Sequence, residues 1–175
     1  NGFEVLIDAF IRLKENPAFS NLKLKATGGM TGDDTKFINH QLQKLKQKDI
    51  IRDIEILPDF TPAALGDFFK SISVLSVPVL KGEAFGLYQL EALASGVPLV
   101  QPELGAFPEI IKATGGGVTY KPNTAEALAA KLTEVLSDKA LLEKMSLAGR
   151  KAVEENFDCS RLSVQMAAIY AKYQS

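Results

Sequence analysis

The sequence predicts an α/β domain: a doubly wound parallel sheet with helices on both faces. Three observations carry this expectation. Short apolar runs alternate with helix-length amphipathic segments, the pattern of strands joined by crossover helices. The chain has 175 residues, a length that fits a single domain. Its composition, 46% hydrophobic and 23% charged, is that of a chain able to bury a full core.

The elements follow in order. Phe3, Leu6, Ile7, Phe10 and Leu13 share one face of a helix that starts at once, with Asn1 and Glu4 reading as an N-cap pair. Leu22–Thr27 is a strand ending at Gly28-Gly29, and a polar helix runs from about Asp33 to Lys48 with Ile38, Leu42 and Leu45 as its stripe. Ile54–Leu57 is a second strand, stopped by Pro58. Thr61-Pro62 opens a helix to about Ser71, with proline in the first turn. Val74–Val77, Val97–Val100 and Gly117–Tyr120 complete five strands, with helices starting near Gly86 and near Phe107-Pro108 between the last three. The last third is helical, with stripes Leu128/Leu132/Val135, Leu141/Met145/Ala148/Ala152 and Leu162/Met166/Ile169/Tyr173. Right-handed crossovers gather the strand C-termini on one edge, where open α/β sheets bind ligands. The strand with which such a domain normally begins is missing, and the chain opens directly in a buried-face helix. Both features are expected of a piece of a longer protein.

Composition also excludes several function classes. No apolar run approaches the roughly 18 residues of a membrane span. A net charge of -1, from 20 basic and 21 acidic residues, argues against nucleic acid or an anionic membrane as main partner. One cysteine, Cys159, and one histidine, His40, leave no disulfide framework and no zinc site of several thiolates or imidazoles. No metal or cofactor is expected. Asn1-Gly2-Phe3 carries no secretion signal.

The stretch from Lys81 to Val100 carries the chemistry. It reads as a glycine-bearing loop, a helix starting near Gly86, a tight turn at Gly96 and a strand. A helix start offers unpaired N–H groups and partial positive charge, so the amides of Gly86, Leu87 and Tyr88 suit a diphosphate. Glu83 lies in the loop before this start and Glu91 one turn inside the helix. Carboxylates accept hydrogen bonds from vicinal sugar hydroxyls and repel phosphate, so the arrangement suits a molecule with hydroxyls on both sides of a diphosphate: a nucleotide-sugar. On spacing alone, the same pair reads equally as an exposed loop acid and a helix acid favoured by the macrodipole.

Wider similarity decides between them. Glu83 and Glu91 around Phe85-Gly86, then Glu91-Ala92-Leu93-Ala94, Gly96-Val97-Pro98 and Pro108-Glu109, occur in the order found in the retaining group 1 glycosyltransferases. The chain resembles the C-terminal, donor-binding half of these two-domain GT-B enzymes over essentially its whole length, and Gly2 to Phe10 resembles that half's first helix. The resemblance implies a Rossmann-like domain over 1–175, an absent N-terminal acceptor domain, and a parent enzyme of carbohydrate biosynthesis in the cytoplasm. Peripheral membrane contact by the parent is compatible with it. That parent would transfer a glycosyl group from a nucleotide-diphospho-sugar to an acceptor hydroxyl, with retention and without a metal.

Residue by residue, the resemblance assigns Glu83 to the donor sugar's hydroxyls, as the catalytic residue of this half, and Glu91 to the ribose. Phe85, Gly86, Leu87 and Tyr88 would line sugar and phosphates. Gly105-Ala106-Phe107-Pro108 resembles the family's glycine-rich turn at a second helix start, with Ala106 where relatives often have glycine. Gly28-Gly29 could approach the nucleotide or simply form a turn. Phe60 could pack on the base or in the core.

Four departures stand against the family pattern. The phosphate-binding arginine has no counterpart, Asn1 stands near the expected lysine, the Pro78–Glu83 loop is one residue longer, and Tyr88-Gln89 is less apolar than usual. The chain alone is therefore expected to bind donor weakly and transfer nothing. The competing readings are a nucleotide-binding module without transfer chemistry and a GT-B sugar-nucleotide epimerase.

Other candidates read as structural. Asp33-Asp34 fits helix capping rather than a metal-binding Asp-x-Asp pair. Asp53 and Glu55, on one strand face, and Lys44, Lys46 and Lys48 read as solvated. His40 reads as a surface side chain and Cys159 as inert. The terminal helix, about Ser160–Tyr173, is expected to expose its apolar stripe if its partner is the absent domain.

Overall fold

The computed structural model describes residues 2–28, 32–57 and 61–173. Asn1, Gly29, Pro58 and Phe60, all singled out above, lie outside the described residues. The elements are helix α1 (Phe3–Lys14), strand β1 (Leu24–Thr27), helix α2 (Thr35–Gln47), strand β2 (Ile54–Leu57) and helices α3 (Pro62–Lys70) and α4 (Leu87–Ala94). Strand β3 (Leu99–Pro102), helix α5 (Phe107–Thr114), strand β4 (Gly117–Tyr120) and helices α6 (Ala125–Ser137), α7 (Lys139–Asn156) and α8 (Cys159–Ala171) follow.

Among the described residues all strand pairing is parallel, as the alternation predicts, but it falls into two half-sheets. β1 pairs with β2 in the register Leu24↔Ile54, and β3 pairs with β4 in the register Leu99↔Gly117. The expected third strand, Val74–Val77, is reduced to one parallel bridge, Leu75 to Leu99. Here the Leu75 N–H donates to the Pro98 carbonyl and its own carbonyl accepts from Val100. The strand expected over Val97–Val100 sits two residues later, because Gly96 and Val97 are taken up in closing α4 through bonds to Leu93 and Ala92.

Adjacent residues of β3 face opposite layers, as pleating requires. Val100 packs with Leu13, Leu128, Leu132 and Val135 under α1 and α6, whereas Leu99 packs with Phe68, Leu93, Ile110 and Ile111 under α3, α4 and α5. A third cluster, Ile7, Phe10 and Leu45, joins α1 to α2. The helix stripes read from the sequence are the faces that are buried, except in α8, which buries no residue and leaves Leu162, Met166, Ile169 and Tyr173 exposed.

Several local expectations need correction. Gly2 is the N-cap of α1, and among the described residues no side chain caps that helix. Asp53 is not on a strand face: it ends the turn before β2 and pairs with Lys14, at 2.8 Å, and with Lys23. Lys44 is not solvated either. Its ammonium reaches Asp8 at 2.8 Å and Glu4 at 3.2 Å, tying α2 to α1. Burial would lower its pKa, but hydrogen bonds to those two carboxylates outweigh burial and raise it. His40 is exposed, and Cys159 is a free, exposed thiol at the start of α8.

Candidate functional site

The site is built where the strands end. After the Leu75 bridge, the chain is held against β3 by a side chain in place of a strand partner. The buried Gln101 accepts the Val77 N–H at 2.8 Å through Oε1. Two residues on, the Val79 carbonyl accepts from Asn123 at 2.8 Å, and Asn123 in turn accepts from the Tyr120 hydroxyl. The loop from Pro78 to Gly86 is thus pinned at its root to the β3–β4 half.

Its far end is pinned to the turn before α5. The Glu83 carbonyl accepts the Ala106 N–H at 2.9 Å. This approach requires glycine at 105: φ there is 56°, and a Cβ would lie 2.4 Å from the Glu83 carbonyl oxygen and 2.6 Å from its nitrogen. Glu83 and the Gly105-Ala106 turn are therefore brought together, main chain on main chain.

That contact changes what the second helix start can offer. The Ala106 N–H is taken by Glu83, and the Phe107 N–H donates to Leu104. Phe107 itself has no exposed surface, so its side chain is a core residue and reaches no ligand. Pro108 has no N–H to give.

The start of α4 is different. Gly86 is its N-cap, with φ 75°, and no side chain caps the helix. A Cβ at Gly86 would crowd Glu83 Cγ at 2.9 Å, so this glycine also sets how closely the Glu83 side chain folds over the helix start. Among the described residues, the N–H groups of Gly86, Leu87 and Tyr88 meet no acceptor. By contrast, Thr61, Thr124, Asp138 and Asp158 cap α3, α6, α7 and α8 with side-chain oxygens. Uncapped donors beside a positive helix end form an anion-binding position.

The side chains around this point divide. Glu91 is exposed, and with Tyr88, Gly28 and Pro78 it lines the mouth of a cavity of about 350 Å³. The cavity lies between the carboxyl end of β1 and the Ser76–Pro78 segment. Glu83 is not in its lining, but its carboxylate is close enough to act on the Tyr88 phenol. Burial, and after it the Glu83 carboxylate, push the Tyr88 phenol well above its ordinary range. The Tyr88 hydroxyl is buried without a hydrogen bond of good geometry, as is the Ser76 hydroxyl in the same cavity wall. Phe85 and Leu87 are exposed beside the loop, 43% and 66%.

Sequence reasoning missed the glutamines. Gln89, fully buried in the first turn of α4, donates to the Phe85 carbonyl at 2.7 Å and fixes the loop before the helix start. Its signal was present as a polar residue, beside Tyr88, in the first turn of a helix otherwise rich in Leu and Ala. Gln101 carried no comparable signal. Among the described residues no three His, Cys, Asp or Glu side chains converge to hold a metal ion, and no helix is long and apolar enough to cross a membrane.

With this geometry in hand, the likeness to known proteins is specific. The family model of "Glycosyl transferases group 1" matches residues 1–152. Phosphatidyl-myo-inositol mannosyltransferase of Mycobacterium leprae is 27% identical over 97% of this chain and 42% of that protein. In structure, the C-terminal domain of a group 1 family glycosyl transferase from Francisella tularensis superposes with a TM-score of 0.80, covering 90% of this chain and 80% of that one at 24% identity. An Anabaena protein, HepE, solved with UDP and glucose, superposes with a TM-score of 0.83 over 96% of this chain and 44% of that one at 16% identity. The chain spans less than half the length of the curated relative cited above. Family match, relatives and fold agree, and the chain belongs to the group 1 glycosyl transferases, with the Rossmann-like fold of a GT-B C-terminal domain.

Proposed function

We propose that this domain binds a nucleotide-diphospho-sugar, and that the protein to which it belongs transfers the glycosyl group to an acceptor hydroxyl with retention of configuration. The observation that carries the reading is the start of α4, three adjacent N–H groups without acceptors beside the Glu91 carboxylate. The diphosphate lies on the amides of Gly86, Leu87 and Tyr88, where donors and helix dipole offset its charge. Glu91 accepts from the ribose hydroxyls at the cavity mouth, next to Gly28. Glu83, outside the cavity lining, accepts from the sugar. Glu91 in the cavity lining and Glu83 outside it fit a ligand whose two hydroxyl-bearing ends lie apart, with phosphate between. HepE, solved with UDP and glucose, shares this fold and supports the ligand class.

The charge developing on the leaving diphosphate needs stabilisation that cationic side chains or a metal can supply. The reading uses main-chain donors and no metal or cofactor, with further cations and the acceptor site on an N-terminal domain and the whole in the cytoplasm. The chain of 1–175 alone then binds donor weakly and transfers no sugar.

Calorimetry with UDP-, GDP- and ADP-sugars, on this chain and on its Glu83→Ala and Glu91→Ala variants, tests the assignment. Glu91→Ala is expected to weaken free nucleoside diphosphate and nucleotide-sugar alike by about tenfold, the loss of one charge-assisted hydrogen-bond pair. Glu83→Ala is expected to weaken only the sugar-bearing ligand. Equal loss of both ligands in the Glu83 variant would contradict its place at the sugar. Binding of no diphosphate ligand would overturn the reading and leave an α/β module of another kind.

A further inference from the structure

Tyr88 lines the cavity together with Glu91, and its ring also reaches the start of α4, where Gly86 gathers three side chains. A Cβ built on Gly86 would lie 2.9 Å from Glu83 Cγ, 3.1 Å from Tyr88 Cε1 and 3.1 Å from Gln89 Nε2. Gln89 has a task there, since its amide donates to the Phe85 carbonyl. The Tyr88 hydroxyl has none: it is buried and, among the described residues, meets no hydrogen-bond partner of good geometry. A buried hydroxyl left unpaired costs free energy, and native interiors keep few of them.

Glu83 is fixed up to its last torsion. Its carbonyl accepts the Ala106 N–H, and Gly105 lets that turn close on it. Its Cγ lies against Gly86, and Oε1 accepts the Ala84 N–H at 3.0 Å. One bond to one oxygen does not hold the plane of a carboxylate, because the terminal torsion of Glu is broad and roughly twofold. What the carboxylate lacks is a second donor, and the Tyr88 phenol is close enough to feel its charge. An ionised carboxylate only accepts, and burial together with that charge keeps the phenol protonated, so the phenol is the donor of the pair.

We infer that Tyr88 is a positioning residue for Glu83: its hydroxyl donates to the carboxylate and sets the plane in which Glu83 meets the donor sugar. The purpose of this bond rests on the nucleotide-sugar reading above, and its geometry rests on the side chains gathered around Gly86. Rotation of the carboxylate about its last torsion closes the bond, which is charge-assisted and therefore short and strong. With the Ala84 N–H and the phenol both on the carboxylate, its remaining lone pairs are held in one orientation, as recognition of two neighbouring hydroxyls requires. Tyr88 then serves the diphosphate through its N–H and the sugar through its side chain. The competing partner is the Ser76 hydroxyl, which is buried without a partner in the same cavity wall.

Two measurements test it. Without ligand, Tyr88→Phe is compared by urea unfolding in three backgrounds of the 1–175 chain: unchanged, Glu83→Ala and Ser76→Ala. With Glu83 present the substitution removes a bond, and it is expected to lower the folding constant about three- to tenfold. With Glu83→Ala it removes an orphaned hydroxyl, and it is expected to raise that constant. The same sign in both backgrounds overturns the inference. A reversal in the Ser76→Ala background instead assigns the hydroxyl to Ser76 and overturns it as well. With ligand, calorimetry compares UDP-glucose with UDP and GDP-mannose with GDP. In the pair that binds, Tyr88→Phe is expected to weaken the sugar-bearing member about fivefold, to leave the diphosphate unchanged and to add nothing to Glu83→Ala. Equal effects on both members, or none on either, overturn the role at the sugar. Failure to bind any of the four ligands overturns the nucleotide-sugar reading and that role with it, while the sign test still decides the bond between Tyr88 and Glu83.

Discussion

The halves of the sheet differ although they are built from strands of equal length. β3 is buried at every residue and packs against helices on both faces, whereas β1 is only half-buried throughout. Neither half is richer in apolar strand residues by a margin that explains this: Leu99-Val100-Gln101-Pro102 carries a glutamine and a proline, and Leu24-Lys25-Ala26-Thr27 a lysine and a threonine. The difference is one of neighbours. β3 has β4 on one edge and Leu75 on the other, and β1 has β2 alone. A strand of a parallel sheet acquires its burial from both flanks, and its own sequence contributes less.

This contrast can be broken or sharpened by measurement. The largest effect is expected in the complete half. Leu99→Ala removes a side chain with no exposure from a dry cluster and should cost about 3–4 kcal/mol, read from the urea midpoint at constant m-value. Leu24→Ala should cost less than half as much, because its side chain is already part exposed. Equal costs would mean that the halves are equally packed. Native-state hydrogen exchange should rank the halves in the same order. The amide of Val100, bonded to Leu75, is expected to exchange only on global unfolding, and the β1 amides at least about 100-fold faster.

A smaller effect concerns α6, which covers the complete half. The Thr124 hydroxyl caps it through the Ala127 N–H, and Thr124→Ala should cost about 1 kcal/mol. The smallest belongs to the open half. Asp53 holds Lys14 and Lys23, and hydrogen bonds to these two ammoniums keep its carboxyl below the ordinary value of 3.8. A depressed folded pKa stabilises the fold above the unfolded value, and that contribution is lost as pH falls below it. Asp53→Asn should therefore cost about 0.5–1 kcal/mol at pH 7 and flatten the decline in stability below pH 3.8. Urea titrations at a series of pH values check both points.

The helices were legible because their faces repeat at 3.6 residues, a signal that needs no distant partner. Phe10, Leu45, Leu132 and Val135 could be placed inside before any fold was known. The third strand was not legible in the same way. Val74–Val77 has the composition of a strand, but pairing is decided by what lies beside it, and only Leu75 finds a partner. Asp53 and Lys44 were misread for a related reason: their partners Lys14 and Asp8 stand on another helix, and no local pattern announces them. At the candidate site, the glycine at 86 and the two acids announced themselves by type and order. The second helix start did not. Its loss of free donors depends on the Glu83 carbonyl arriving from a separate loop, and Phe107 is an aromatic whose burial no spacing reveals.

The contact between Gly105 and Glu83 has a mechanical consequence. Two loops that share a 2.4 Å clearance for any added atom cannot shift separately. A methyl group at position 105 would act as a wedge, levering the residue-83 carboxylate off its perch while leaving the charge, the hydrophobic core and the helix behind it intact.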